Sequence, residues 1–417
     1  MKNNIIIYVF LFLWLTVSYN SQFADTTVPF IGFGLNVLLE AALLVLLVPT
    51  MLSTHINVYQ KWVLVILAFW AASTTWSVNR EAMASFVTFS IPYILCYFLS
   101  ASISTKRNVE QVMKIELIAV FLCAIYVLFF VNTGNLADER LGGSDDDRIW
   151  NANDIGMKMT IGYAIGMYLL LKGETNKLLI YGLMALILLV ALMSGSRKVI
   201  ILLVMFTALL MIVRAKRQKK ILYAAYAGIF VVVSYLAVMN VPVLYDILGK
   251  RIDMVLDGLR GESGGYSMDE RTLMIGYGIE FMSGHLWLGN GFNAFSELFG
   301  NITGWYTYSH NNFIELLVNT GITGLLLYYS LTFYILKRLW KPTFKDRDTL
   351  AQILFLYTFI ALFLDYAMVS YVNVPTMFRL MYTARYSQVL KKGEVATVSP
   401  KKKLKINASG IKTEGIQ

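Results

Sequence analysis

Ser309-His310-Asn311-Asn312-Phe313-Ile314-Glu315-Leu316-Leu317, then Asn319-Thr320-Gly321-Ile322-Thr323-Gly324-Leu325, is a polar helix start that runs straight into an apolar stretch. Directly upstream, residues 241–309 form a hydrophilic block of roughly 70 residues in a chain that otherwise reads as membrane. Connecting two spans needs no block of this size, since loops beyond about 15 residues are usually functional or disordered. Apolar stripes inside the block predict that it folds. A histidine where polar chain meets bilayer is well placed for chemistry at the membrane surface.

Composition sets the class around this junction. Of the 417 residues, 57% are hydrophobic and 15% charged, against about 25% charged in soluble domains. Apolar runs near the roughly 20 residues needed to cross about 30 Å of hydrocarbon recur at 4–20, 28–52, 60–77, 83–103, 110–132, 155–171, 177–193, 198–214, 220–240, 311–336, 349–369 and 374–390. The reading is an all-α polytopic membrane protein of about twelve transmembrane helices, with one large extracytoplasmic helical loop between spans nine and ten. No small-residue cleavage site follows the first run, which predicts a retained helix rather than a signal peptide. Five units follow: spans 1–5 in 1–133, spans 6–9 in 134–240 with an external loop at 134–154, the loop domain 241–309, the last spans in 310–390, and a basic tail 391–417 expected to be disordered.

Lys and Arg in the short loops orient the chain. With the N-terminus in the cytoplasm, the inside loops carry Lys61, Lys106, Arg107, Lys172, Lys177, Arg214, Lys216, Arg217, Lys219, Lys220, Lys337, Arg338, Lys341, Lys345 and Arg347. The outside connections are poor in positive charge or acidic; the loop 134–154 holds Asp138, Glu139, Asp145, Asp146, Asp147 and Asp154 against Arg140 and Arg148. The seven lysines after Leu390 fall inside, as an ordinary positive-inside tail. The net charge of +10 is thereby explained without nucleic acid, for which there is no motif. Cys96 and Cys123 lie in apolar runs and read as packed thiols.

Four basic residues on the expected outer side attract attention. Apolar residues from Leu244 to Leu259 at three- and four-residue spacing predict an amphipathic surface helix. After a flexible break at 260–266, Ser267-Met268-Asp269-Glu270 reads as a capping box, with a helix from Met268 to Ser283 and Arg271 in its first turn. A cation there opposes the helix dipole, so Arg271 either binds an anion with the free N–H groups or pairs with Asp269 or Glu262. The turn Met193-Ser194-Gly195-Ser196-Arg197-Lys198 likewise puts positive charge outside, against the topology rule. Arginine's planar fork suits a phosphate; interfacial snorkelling is the alternative. His310 is expected in the first turn of its helix with Ser309 as N-cap, its imidazole kept neutral by the positive helix end, or else acting as a cap. His55, His285 and His310 have no metal spacing.

These segments together resemble one family. His310 to Leu325 is similar to the His-containing motif of the O-antigen ligase and polymerase superfamily. Arg271 through Gly289-Asn290-Gly291-Phe292-Asn293-Ala294-Phe295 resembles its Arg-helix and G-x-G segment, with Leu286 near where proline is common. Ser194-Gly195-Ser196-Arg197 resembles its Ser-Arg turn, and Arg140 through Asn153 its loop before the sixth span. The resemblance covers about 140–370.

The resemblance implies glycosyl transfer outside the cytoplasm from a polyprenyl-pyrophosphate-linked oligosaccharide donor to a glycan or lipid-linked acceptor. In that scheme Arg197, Arg271 and Lys198 hold the donor pyrophosphate and His310 activates the acceptor hydroxyl, with inversion, no metal and no cofactor. It implies residence in a bacterial cytoplasmic (inner) membrane with both termini cytoplasmic, beside a chain-length regulator and a flippase. Polymerisation of repeat units of an O-antigen, capsule or exopolysaccharide is the leading expectation, and transfer of finished glycan by a ligase the second. A transporter or flippase of lipid-linked sugars is the rival from another class. Glu40, Lys158 and Asp365 within apolar runs favour it; the absence of inverted repeats counts against it.

Overall fold

The computed structural model describes residues 2–27, 34–130, 151–173, 176–260 and 266–398. The chain is a multi-span helical membrane protein, and no strand occurs among the described residues. A helix occupies each apolar run: α1 (Lys2–Thr27), α2 (Leu35–Leu52), α3 (Val58–Ser73), α4 (Ala82–Ser102), α5 (Lys106–Phe130), α6 (Ala152–Lys172), α7 (Lys177–Met193), α8 (Arg197–Arg214) and α9 (Lys220–Asn240). After the outer block come α14 (Asn312–Phe344), α15 (Thr349–Leu364) and α16 (Val374–Val398). Among the described residues six stretches are long and apolar enough to cross a membrane, namely α2, α4, α5, Arg217–Asn240, α14 and Thr349–Ala367, with shorter apolar helices at Ile5–Asn20 and Lys177–Met193. The acidic residues 138–147, the break at 261–265 and the end of the basic tail lie outside the described residues.

In hydrocarbon a polar group must find its partner inside the protein, and the buried ionisable groups do so. Glu40 accepts from the Trp14 indole at 3.0 Å. Glu116, fully buried, accepts from the Tyr19 hydroxyl at 2.7 Å. Lys158 pairs with Asp154 at 2.6 Å, one helical turn away, and donates to the Tyr19 carbonyl. Asp365 accepts from the Tyr329 hydroxyl at 2.8 Å. These bonds pin α1 to α2 and α5, and α14 to the end of α15, across a continuous apolar core.

The outer block is helical but differs locally from expectation. A short turn α10 (Pro242–Leu244) and a π-helical turn at Tyr245–Gly249 precede α11 (Lys250–Leu259). Ile247 and Leu248 bury against Val238, Leu192 and Ile200, so this stretch packs on the bundle itself. Then come α12 (Tyr266–Phe281) and α13 (Ala294–Thr303). Because α12 begins at Tyr266, Arg271 is not in its first turn. Its N–H lies within the helical ladder, so the expected anion site on free N–H groups is not built there. α12 and α13 pack on α14 through Met274, Phe295, Phe299 and Val318.

Gly289 and Gly321, one from each motif, have one physical reason. α14 is broken at Gly321, whose backbone is non-helical at φ 64°. The loop between α12 and α13 inserts against this break. The Ile322 and Thr323 N–H groups donate to the Leu286 and Trp287 carbonyls at 2.9 and 3.2 Å, and Asn290 N–H donates to the Val318 carbonyl at 2.8 Å. A Cβ on Gly321 would strike the Trp287 backbone. A Cβ on Gly289, at φ +68°, would lie 2.5 Å from the Thr320 nitrogen. Neighbouring backbone cannot yield, so Gly289→Ala is expected to destabilise the protein by on the order of 2–5 kcal/mol, from left-handed strain plus overpacking. Gly284, at φ +80° with open space around it, is the control: alanine there costs only about 1–2 kcal/mol of strain. Thermal unfolding of the purified variants in detergent measures the difference.

Candidate active site

A cavity of about 550 Å³ opens where α4, α6, α8, α13, the loop 306–310 and the segment 368–373 after α15 meet. Its lining is mixed. Phe89, Met157, Met368, Val369 and Val372 are apolar; Asn151, Asn153, Asn293, Ser296, Tyr306 and Thr307 carry hydrogen-bonding side chains; Lys198, Asp154, His310 and Glu315 are ionisable. Such a lining suits a ligand that is part apolar and part polyhydroxylated.

His310 enters this cavity by an unusual backbone. Its φ is +55°, in the left-handed region. The helix N-cap is Asn311, whose side chain accepts from the Phe313 and Ile314 N–H groups. Ser309 does not cap, and His310 sits just before the helix rather than in its first turn. Asn311 wins because Ser309 is otherwise engaged: its N–H donates to the Glu315 carboxylate at 2.7 Å and its hydroxyl donates to the Asn311 carbonyl at 2.8 Å. Glu315 is itself buried, 1% exposed. It therefore clamps the turn that presents the imidazole. Tyr308 lies beside His310 with ring centroids 4.3 Å apart.

The electrostatics differ in cause from expectation. The His310 pKa is lowered to about 3, first by burial and then by the charges of Arg271 and Lys198. Burial first, and neighbouring cations second, hold the ring neutral. The Arg271 guanidinium is itself depressed below its ordinary value, chiefly by burial. Its charge also acts on Arg197 and on Lys198. Three cations and one histidine thus share a neighbourhood, although Arg197 and Arg271 are not among the residues lining the cavity. Arg271 makes no hydrogen bond or ion pair among the described residues; the Asp269 and Glu270 side chains flank it in sequence.

The turn before α8 is tight as expected. Gly195 has φ +57°. Ser194 and Ser196 are buried, and Arg197 is the first residue of the helix. Lys198 turns inward and donates to the Ala367 carbonyl at 2.8 Å.

Three contributors were not anticipated. Asn312 is fully buried; its carbonyl oxygen accepts from the Ser370 and Tyr371 N–H groups, and its amide donates to Tyr329. It ties the start of α14, just after His310, to the segment lining the opposite wall. Asn373 donates to Asp154 at 3.0 Å, closing the floor above the Asp154–Lys158 pair. Glu315 is the third. The i, i+4 spacing of Asp154 and Lys158 is a legible ion-pair signal; the roles of Asn312 and Asn373 depend on tertiary neighbours. Among the described residues no three His, Cys, Asp or Glu side chains group to hold a metal ion.

A family model described as O-Antigen ligase matches residues 182–329, about a third of the chain, running from α7 through the outer block into α14. The match takes in Arg197, Lys198, Arg271 and His310 and supports the O-antigen ligase and polymerase superfamily. It indicates glycosyl transfer of the ligase or polymerase type, on glycan or lipid-linked substrates in a bilayer. No curated protein matches the chain.

Proposed function

We propose that the cavity transfers a glycan from a polyprenyl-pyrophosphate carrier to an acceptor sugar hydroxyl. The observation that carries this reading is the placement of a neutral histidine in a mixed apolar and polar cavity beside three cations. His310 takes the proton of the acceptor hydroxyl as its oxygen attacks the anomeric carbon. The bond from that carbon to the pyrophosphate oxygen breaks, and the configuration inverts. Arg197, Arg271 and Lys198 bind the donor pyrophosphate and stabilise the charge that grows on it. The lipid tail lies toward the bilayer and the sugars toward the outer block. The site faces the extracytoplasmic side of a bacterial inner membrane, with both termini in the cytoplasm, by the Lys and Arg distribution of the loops.

Polymerisation of lipid-linked repeat units is the activity put first. Ligation of finished glycan to a second acceptor is the other reading, favoured by the description of the matched family. Transport is disfavoured because Glu40, Lys158 and Asp365 each hold a structural partner. Purified protein in liposomes with a synthetic lipid-linked repeat unit separates these readings. A ladder of longer lipid-linked chains means polymerase, transfer only to an added second acceptor means ligase, and lipid movement without transfer refutes the proposal.

The pH profile carries a further expectation. An imidazole at about 3 is neutral but a weak base. Pyrophosphate offsets the cations that help to depress it, so donor binding raises its affinity for a proton, while burial, the larger cause, still holds it below its ordinary value. The profile of kcat/KM reports the donor-free protein and that of kcat the bound complex. The acid limb of kcat should therefore lie at higher pH than that of kcat/KM. Coincident limbs would mean that the bound pyrophosphate does not face Arg271 and Lys198.

A further inference from the structure

We infer that the loop between α12 and α13 is re-entrant: Leu286, Trp287 and Leu288 form a tip inserted into the hydrocarbon of the leaflet on the cavity side, with membrane lipid as the partner of this surface. The inference is independent of the catalytic reading.

Composition points the same way as geometry. Residues 281–296 contain no Asp, Glu, Lys or Arg, although Glu280 and Glu297 flank them. Within this run Leu286, Trp287 and Leu288 stand 47, 69 and 50% uncovered by protein. Three consecutive large apolar side chains left bare in a hydrophilic block mark an interaction surface.

Hydrogen bonds fix the depth. The Leu286 and Trp287 carbonyls accept from the N–H groups of Ile322 and Thr323, which belong to the candidate span Asn312–Phe344. From Ile322 to Lys337, the first cation on the far side, the helix rises about 22 Å; to Trp340 it rises about 27 Å. The hydrocarbon core is about 30 Å thick. The tip therefore sits about 3–8 Å beneath the near hydrocarbon boundary. Trp340, 60% uncovered on the same helix, then occupies the far interfacial belt where tryptophan concentrates. Leu326, one turn below the break and 62% uncovered, continues the same apolar surface.

Backbone chemistry explains why a loop tolerates this depth. Irregular backbone in hydrocarbon must be paired within the protein. The break at Gly321 frees helical N–H groups, and the loop carbonyls take two of them. Each irregularity satisfies the other. The close approach this demands is what excludes a side chain at Gly289 and at Gly321. The inserted tip holds the outer block down against the bilayer, where the cavity is built.

The test uses a nitroxide on a single added cysteine. Cys96 and Cys123 are both buried, so an added surface thiol is labelled selectively. Trp287→Cys, Leu286→Cys and Asn301→Cys are labelled and placed in phosphatidylcholine/phosphatidylglycerol liposomes. Collision rates with molecular oxygen and with a water-soluble nickel chelate are then read by EPR. Asn301 lies exposed on α13 and serves as the water-side reference. The expected result is oxygen access with nickel exclusion at 287, repeated at 286, and nickel access at 301. Nickel access at 287 and 286 equal to that at 301 overturns the inference. Leu286→Cys decides the matter alone if the tryptophan variant fails to fold.

Discussion

His310→Asn lowers glycan transfer by about 10²–10⁴-fold, the usual worth of a general base, while the protein folds, reaches the membrane and still binds its donor. Asparagine is the informative variant for a reason found in the backbone. His310 has φ +55°, and asparagine tolerates the left-handed region far better than alanine. His310→Ala loses the base, the ring contact with Tyr308 and the local polar bonding that helps a side chain hold the left-handed region. Its inactivity alone would therefore not distinguish catalysis from folding. Thermal unfolding run beside the transfer assay separates the two, with His310→Asn near the parent in stability and His310→Ala below it. If His310→Asn keeps most of its activity while His310→Ala loses it, the residue positions the turn. The base would then be sought among the acidic residues of 138–154.

The arginines should show a comparably large effect of a different kind. Arg271→Lys is expected to lose transfer nearly as badly as Arg271→Ala, by on the order of 10²–10³-fold, the usual cost of removing one donor to a developing anion. Lysine keeps the charge but presents a point where arginine presents a planar fork. The same holds at Arg197. Steady-state kinetics on a lipid-linked donor provide the check. Near-normal turnover of either lysine variant would reduce that residue to long-range electrostatics. Arg271 has a second signature. Its charge helps to depress His310, so Arg271→Gln should shift the acid limb of kcat/KM upward in pH, by relieving repulsion of the imidazolium. An unmoved limb would separate the two residues.

The helices were legible because each apolar run approaches bilayer length, and a helix occupies every one. Helix starts were less legible because sequence offers several acceptable caps. Ser309 and Asn311 both cap well in isolation; the choice falls to Asn311 because a buried Glu315 six residues on takes the Ser309 N–H. Ser267 invited a capping box with a helix from Met268, yet α12 begins two residues earlier at Tyr266 and carries Arg271 past the first turn. The chemistry-bearing residues were visible as positive charge placed against topology at Arg197 and Arg271 and as a histidine at a junction. Their common neighbourhood follows from tertiary packing. The meaning of Gly321 was also hidden. It lies in a backbone contact between Trp287 and Gly321, 34 residues apart in sequence, that no local pattern announces.

The central claim is that this cavity forms glycosidic bonds at the expense of a lipid pyrophosphate linkage. The most direct test measures both products together, in liposomes holding purified protein and a synthetic polyprenyl-pyrophosphate-linked oligosaccharide with its acceptor. Free polyprenyl pyrophosphate and new glycosidic linkage should appear in a one-to-one ratio, with inverted anomeric configuration, and both should fall together by about 10²–10⁴-fold in His310→Asn. Retention of configuration, or new linkages formed at near-parent rate in His310→Asn, would contradict the account.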